Sequence, residues 1–279
     1  MKAATGSKKN ILFSKRSPYQ LVELLKHKGG LMLRLNGNPQ VQTTEEQLYH
    51  EAFTTLPMML AEKITNVVIL GGGDGLSARE VLRFPGVKKV TLVELDPVVI
   101  ELCRDNPEWK AITHGSMSDP RLNVVCGDAL QWMIDTKEKF DVIIHDIEDN
   151  FTEQPKPLTV EFYYAFYQAL FKKLKPGGVW VNLIADDEDD MMLNAMYEFY
   201  EDDLPAAIKT KFKRKRGIAA KTRVLLETLF PHVAEWTIKL PVLGTETCLY
   251  MSKSPLDKLH RPAPVGSKYV GEGVMKKVK

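Results

Sequence analysis

Between Asn66 and Asp96 the chain runs through an apolar stretch, a cluster of glycines, a helical pattern and a second apolar stretch that ends in acids. Asn66 to Leu70 suits a buried strand, Gly71-Gly72-Gly73-Asp74-Gly75 a tight turn, Ala78 to Leu82 a helix, and Val93-Glu94-Leu95-Asp96 the tip of the next strand. A strand that passes through glycines into a helix, and then into a strand tipped by an acid, builds a doubly wound sheet. Such sheets hold adenosine-containing molecules at the carboxyl ends of their strands. The expectation is an α/β fold that binds a nucleoside around Gly71, Gly73, Asp74 and Glu94.

What fills the turn narrows the ligand. A pyrophosphate wants backbone N–H groups and no nearby anion, and Asp74 stands where a phosphate would approach. An acid there repels a diphosphate and suits a cation, so a sulfonium nucleoside fits better than NAD. Glu94 can accept the hydroxyl protons of a ribose. Each residue also has a plain structural reading, Asp74 as the cap of the following helix and Glu94 as a solvated strand end.

At 279 residues and 44% apolar content the chain can bury the core of one α/β domain plus a small appendage. A net charge of +2 gives no reason to expect nucleic acid. Cys103, Cys126 and Cys248 are widely spaced, show no metal-ligand pattern and leave one thiol over, which suits a reducing cytoplasm and no metal. No apolar run is long enough to span a bilayer and the first residues carry no apolar signal core, so no membrane association is expected.

The pattern along the chain predicts three parts. Residues 1–60 form a small antiparallel β domain, with strands at Tyr19 to Leu25 and Leu31 to Leu35, and a helix from Glu45 to Leu60. Residues 61–255 form the nucleoside-binding catalytic domain, with strands at Asn66 to Leu70, Val90 to Leu95, Leu122 to Cys126, Phe140 to His145 and Val179 to Leu183. A helix from near Thr159 ends at Lys175-Pro176-Gly177-Gly178, and Val233 to Leu240 with Thr247 to Met251 suit an antiparallel edge. Residues 256–279 read as a tail, disordered at Lys276 to Lys279. The fold class is Rossmann-like, of the class I methyltransferase type, with a small N-terminal antiparallel β domain.

If the sheet is parallel, Asp74, Glu94, Asp128, Asp146 and Asp149 gather at its carboxyl edge. Five acids around one pocket repel one another unless something positive sits among them. A second acidic block, Asp186 to Asp190 with Glu198, Glu201, Asp202 and Asp203, is followed by the basic run Lys209, Lys211, Lys213, Arg214, Lys215 and Arg216. The plain reading is two solvated helix faces that neutralise each other; Asp186 and Asp187 also suit a long polycation.

An ordered series of short blocks resembles the polyamine aminopropyltransferases, of which spermidine synthase is the familiar member. Ser17-Pro18-Tyr19-Gln20, Leu35-Asn36-Gly37 with Gln42, and Tyr49-His50-Glu51 come first. The glycine turn, Val93-Glu94-Leu95-Asp96, Asp119-Pro120-Arg121, Gly127-Asp128, Asp146 with Asp149, and Glu161-Phe162-Tyr163 follow in the same order. The resemblance implies that decarboxylated S-adenosylmethionine is the co-substrate, with no prosthetic group. It implies that Gln20, His50, Asp74, Glu94 and Asp128 hold it, Asp74 on the aminopropyl ammonium, Glu94 on the ribose and Asp128 on the adenine amino group. Asp146 is then the base or orienting acceptor for the attacking amine, and Tyr49 and Asp149 fix the acceptor polyamine. A homodimer or higher homo-oligomer, joined through the N-terminal sheet, is also implied.

That chemistry is reasonable for these residue types. A free amine is scarce at neutral pH because its pKa is about 10, so a carboxylate beside the nitrogen is useful. The sulfonium already activates its carbon, and alignment supplies most of the rest. The chain departs from the family pattern at Asn150 to Pro157, at Glu45-Glu46-Gln47 and at Leu240 to Glu246, so the acceptor amine stays open. Two other functions share the sheet: an S-adenosylmethionine-dependent N-methyltransferase of an amine, and a non-catalytic polyamine-binding protein. Asp74 argues against the first, Asp146 and Asp149 against the second.

Overall fold

The computed structural model describes residues 10–147, 160–185, 206–214, 218–271 and 273–278. Four N-terminal strands, β1 (Ile11–Arg16), β2 (Leu21–His27), β3 (Gly30–Leu35) and β4 (Asn38–Gln42), form an antiparallel sheet in that order. The sequence reading found only the middle pair. β1 passes from apolar Ile11-Leu12-Phe13 to polar Ser14-Lys15-Arg16 and β4 contains Pro39, as suits sheet edges, and neither carries the alternation that marks a half-buried strand.

The helical pattern of residues 45–60 is one helix in three pieces: α1 (Glu46–His50), a π-turn (Glu51–Thr55) and α2 (Leu56–Leu60). The α/β region follows with β5 (Asn66–Gly71), α3 (Leu76–Leu82), β6 (Lys89–Glu94), α4 (Pro97–Asp105), α5 (Pro107–Ile112), β7 (Leu122–Cys126), α6 (Ala129–Asp135), β8 (Phe140–Asp146), α7 (Val160–Lys173) and β9 (Leu174–Ala185). Beyond them lie α8 (Ala206–Arg214), α9 (Ile218–Leu229), β10 (His232–Leu240) and β11 (Gly244–Ser252).

The central sheet has the order β10-β11-β9-β8-β5-β6-β7. β5 to β9 are parallel, and the β10–β11 hairpin closes the edge antiparallel, as expected. Apolar layers cover both faces. Val142, Ile144, Val181 and Tyr250 pack on one side with Phe53 and Leu56 of the helix; Val68, Ile143, Trp180 and Leu249 pack on the other with Phe166 and Leu170 of α7. The inward face of the N-terminal sheet, Val22, Leu24, Leu31 and Leu33, is buried against Val98, Leu102 and Trp109 of α4 and α5.

The C-terminus is a correction. Among its described residues it packs on the core: Val270 and Val274 are buried, and Val274–Lys276 is a 3-10 turn, so the expected disorder at Lys276 does not hold. Sequence patterning missed this because two isolated valines show no periodicity. In the basic run, Lys211 pairs with Glu227 of α9. The acidic block Asp186 to Asp203, Asp149 and the departing segment Asn150 to Pro157 lie outside the described residues. Among the described residues no helix is long and apolar enough to cross a membrane, and all three cysteines are free thiols.

Candidate active site

Strand order reverses around β5: β6 and β7 lie on one side of it, β8 and β9 on the other. A crevice opens at such a switch point, outside the carboxyl ends of the central strands. Register puts Gly71, the last residue of β5, beside Asp146, the last of β8. The backbones come so close that a Cβ on Gly71 would lie 1.9 Å from the Asp146 carbonyl oxygen, and φ there is +78°, so only glycine fits.

The Asp146 carboxylate is held from two sides. The Tyr49 hydroxyl of α1 donates to Oδ1 at 3.1 Å, and the Ser77 hydroxyl of α3 donates to Oδ2 at 3.3 Å. Thr54, in the π-turn, is bonded in turn to Ser77 at 3.0 Å. Burial pushes the Tyr49 phenol well up, with the Asp146 charge adding to it, so it stays a donor. Burial also pushes Asp146 up, to about 7, helped by the charge of Asp74 and opposed by His50 and by the Tyr49 and Ser77 bonds. A carboxylate poised there is a suitable proton acceptor at neutral pH.

Glu94 ends β6 and turns back under the glycine loop. Its Oε2 accepts from Gly73 N at 3.0 Å and its Oε1 from Asp96 N at 2.8 Å. A Cβ on Gly73 would lie 2.5 Å from Glu94 Cγ, so the missing side chain is the space Glu94 occupies. Burial raises Glu94 to about 7 despite the two backbone bonds that oppose it. Glu94 is half-buried and bonded through both oxygens, so it is not a free strand end.

For Asp74 and Asp128 the capping reading holds geometrically. Asp74 Oδ1 accepts from Leu76 N at 2.7 Å, and Asp128 Oδ1 accepts from Leu130 N at 2.9 Å and Gln131 N at 3.2 Å. In both, the bonds fall on one oxygen, and capping leaves the other for a ligand. Gln20 donates to Asp96 Oδ2 at 3.0 Å, beside the Ser17 hydroxyl at 2.7 Å, which ties the N-terminal sheet to the rim. His50 is buried and bonded through Nδ1 to the Glu46 carbonyl at 2.8 Å and carboxylate at 2.9 Å. Burial works against its charge, but the Glu46 bond and charge outweigh it and hold the imidazole above its ordinary value. Glu46, also clamped by both terminal nitrogens of Arg79, is held down to about 2, because the His50 and Arg79 partners overcome its burial.

Several participants escaped the sequence reading. Ser77 and Thr54 are unremarkable hydroxyls until the fold joins them. Asp96 was in view as the end of Val93-Glu94-Leu95-Asp96, and its place as an N-cap before Pro97 was the available signal. Glu246 lies on β11 across from Ala185 at the rim, on the sheet face that carries Tyr49, and its charge reaches the Tyr49 hydroxyl. Among the described residues no Lys or Arg pairs with Asp74, Glu94 or Asp146, and no cluster of side chains is arranged to hold a metal ion.

The two raised carboxylates make a sign-defined prediction. Near pH 7 each holds roughly half a proton in the free protein, and an incoming cation favours the charged forms, so binding releases protons. Calorimetric titration with a cationic nucleoside at pH 7, in two buffers of different ionisation enthalpy, should show a net release of about 0.5 to 1 proton. Heats that do not depend on the buffer would mean that the carboxylates are not at the ligand.

Comparison with known proteins identifies the family. The family model described as spermine/spermidine synthase domain matches residues 46–198. Polyamine aminopropyltransferases from Oceanobacillus iheyensis and Sulfolobus acidocaldarius are each 38% identical, over 60% and 56% of this chain. That from Serratia proteamaculans is 35% identical over 63%. The matched parts are 32%, 52% and 59% of those relatives, so the chain spans less than two thirds of their length. The crystal structure of spermidine synthase from Thermotoga maritima superposes with a TM-score of 0.71 at 25% identity, covering 96% of this chain and 84% of that one. A spermidine synthase in complex with the transition-state analogue AdoDATO superposes equally well. With more than half of its length matched, the chain belongs to the spermine/spermidine synthase domain family.

Proposed function

We propose that the protein transfers the aminopropyl group of decarboxylated S-adenosylmethionine to an amine acceptor, putrescine or another di- or polyamine, and releases methylthioadenosine. The observation that carries this is the rim of Asp74, Glu94 and Asp146 at the switch point, paired with no Lys or Arg among the described residues. Glu94 takes the ribose hydroxyls, Asp128 the adenine amino group, and Asp74 the aminopropyl ammonium, with Gln20 and His50 completing the nucleoside contacts. Gly71 and Gly73 keep the turn low enough for the ligand to lie on it.

Asp146 accepts a proton from the acceptor nitrogen as its lone pair attacks the methylene carbon on sulfur. The carbon–sulfur bond breaks, its electron pair stays on sulfur, and the positive charge of the sulfonium is discharged. Tyr49 orients Asp146, Tyr49 and Asp149 help fix the acceptor, and Glu246 suits the far ammonium of a diamine. Intact S-adenosylmethionine is disfavoured because a carboxylate about 4 Å from Asp74 is repelled by about 4 kcal/mol at an effective dielectric of about 20. Free thiols and the absence of a membrane-crossing helix among the described residues suit work in the cytoplasm, in spermidine biosynthesis, as a homodimer or higher homo-oligomer.

Incubation with decarboxylated S-adenosylmethionine and a panel of diamines, agmatine and longer polyamines should release methylthioadenosine with at least one acceptor. Turnover with intact S-adenosylmethionine and none with the decarboxylated form would establish a methyltransferase instead. Binding of polyamines without any turnover would leave a binding protein.

A further inference from the structure

Glu51 follows Tyr49 and His50 by one turn at most, yet its carboxylate points away from the crevice. It is completely buried and accepts only N–H groups: Lys268 N at 2.8 and 3.0 Å on its two oxygens, Tyr269 N at 2.6 Å, Val270 N at 3.2 Å, and the Gln47 side-chain amide at 2.8 Å. The same amide group of Gln47 reaches the Gly266 carbonyl at 3.2 Å. At the other end of the helix, His260 N donates to the Met59 carbonyl at 2.8 Å, and the Arg261 guanidinium caps the carbonyls of Met58, Ala61 and Glu62. Residues 260–270 thus run along the helix and grip it at both ends, while Val270 and Val274 anchor them in the core.

The gripped element is unusual. Glu51–Thr55 is a π-turn, which holds one residue more than an α-turn and is rare because it is less well bonded. One extra residue rotates everything before it by about 100° relative to an uninterrupted α-helix. Tyr49, two residues before the turn, meets Asp146 in this rotated setting. Thr54 and Thr55 hold the turn from the α3 side, through Ser77 and Glu80, and the Tyr250 hydroxyl holds the Ala52 carbonyl. Glu51 ties the first residue of the turn to the C-terminal segment, which Arg83 after α3 also meets at the Val265 carbonyl.

We propose that the C-terminal segment is a strap that keeps the π-turn open and so sets Tyr49 against Asp146, with Glu51 as its positioning residue. Its catalytic consequence rests on the aminopropyl-transfer reading. Relaxation of the turn to α-helix swings the phenol away from the carboxylate and leaves the acceptor side of the site without its wall.

Glu51→Gln keeps the shape but points an amide N–H at N–H donors. It should lower kcat about tenfold with the best acceptor and speed amide exchange across residues 46–60 and 266–270. A merely structural role is separated by a cycle with Tyr49→Phe. If Glu51 acts through Tyr49, the double variant stays within about twofold of the slower single variant. Multiplication of the two losses, or a Glu51→Gln enzyme within about twofold of the unmodified kcat, overturns the proposal. Should Glu51→Gln fail to fold, Tyr269→Pro removes the nearest of the N–H donors at an exposed residue, and the same cycle and criteria apply. If the unmodified protein turns over no amine at all, the proposed activity falls by itself. The strap is then decided by exchange: unchanged rates at residues 46–60 in the variant would refute it.

Discussion

Asp146→Asn should lower kcat by about a thousandfold, the range expected for loss of a general base, while methylthioadenosine binds within about threefold of its original affinity. The amide keeps one acceptor oxygen and turns an N–H donor toward the other hydroxyl, which can rotate to accept; it cannot take a proton, and the uncharged product does not depend on its charge. The pH profile adds a second, independent mark. Burial and Asp74 hold Asp146 near 7 in the free protein, so kcat/KM should rise as pH passes through about 7 and the carboxylate empties. With a cationic nucleoside bound the carboxylate ionises more readily, so the limb in kcat should lie at lower pH than the limb in kcat/KM. The Asn variant should lose the limb in kcat, while Glu94 keeps a limb near 7 in kcat/KM for the nucleoside. Full turnover in that variant would remove the assignment of the base, and a retained limb in kcat would assign it to another group.

Glu94→Gln should weaken nucleoside binding by roughly 10- to 150-fold, since bonds to a charged acceptor contribute about 1.5 to 3 kcal/mol. Its effect on the unliganded protein should be read in the pH dependence of stability. The folded value of Glu94, about 7, stands above its ordinary 4.5. Between those values the folded state holds a proton that the unfolded state has lost, so stability falls as pH rises through the window. Glutamine removes that dependence, but its amide N–H faces one of the two backbone N–H groups that Glu94 accepts. The variant should therefore melt below the original at pH 5, the gap should narrow as pH rises to 7, and the rise on adding nucleoside should shrink. Gly73→Ala should reproduce the loss of affinity, because its Cβ meets Glu94 Cγ at 2.5 Å and displaces it. A Gly73→Ala protein that binds like the original would show that Glu94 does not need the place it occupies.

The parallel part of the sheet was readable because its strands are buried on both faces and so are written as continuous apolar runs, such as Val67 to Leu70 and Val142 to Ile144. The glycine turn was readable because the Asp146 backbone at Gly71 and the Glu94 side chain at Gly73 leave no room for a side chain. The edge strands Ile11–Arg16 and Asn38–Gln42 were not, since an edge tolerates polar residues and proline. The π-turn was not, because every residue from Glu51 to Thr55 is buried and an extra residue leaves no break in an apolar pattern without an exposed face.

The acids at strand tips follow from local order along the chain: each stands within four residues of the end of an apolar run, so its height at the rim is set by the strand before it. Which acid meets which partner does not follow. Tyr49 with Asp146, Ser77 with Thr54, Gln20 with Asp96 and Glu51 with Lys268 to Val270 join residues far apart in the chain. Those pairings depend on how helix and strap pack on the sheet, and packing is a sum over many contacts that no short stretch of residues encodes. The same holds for charge, since burial among neighbours from several elements, and not residue type, brings Glu94 and Asp146 to about 7.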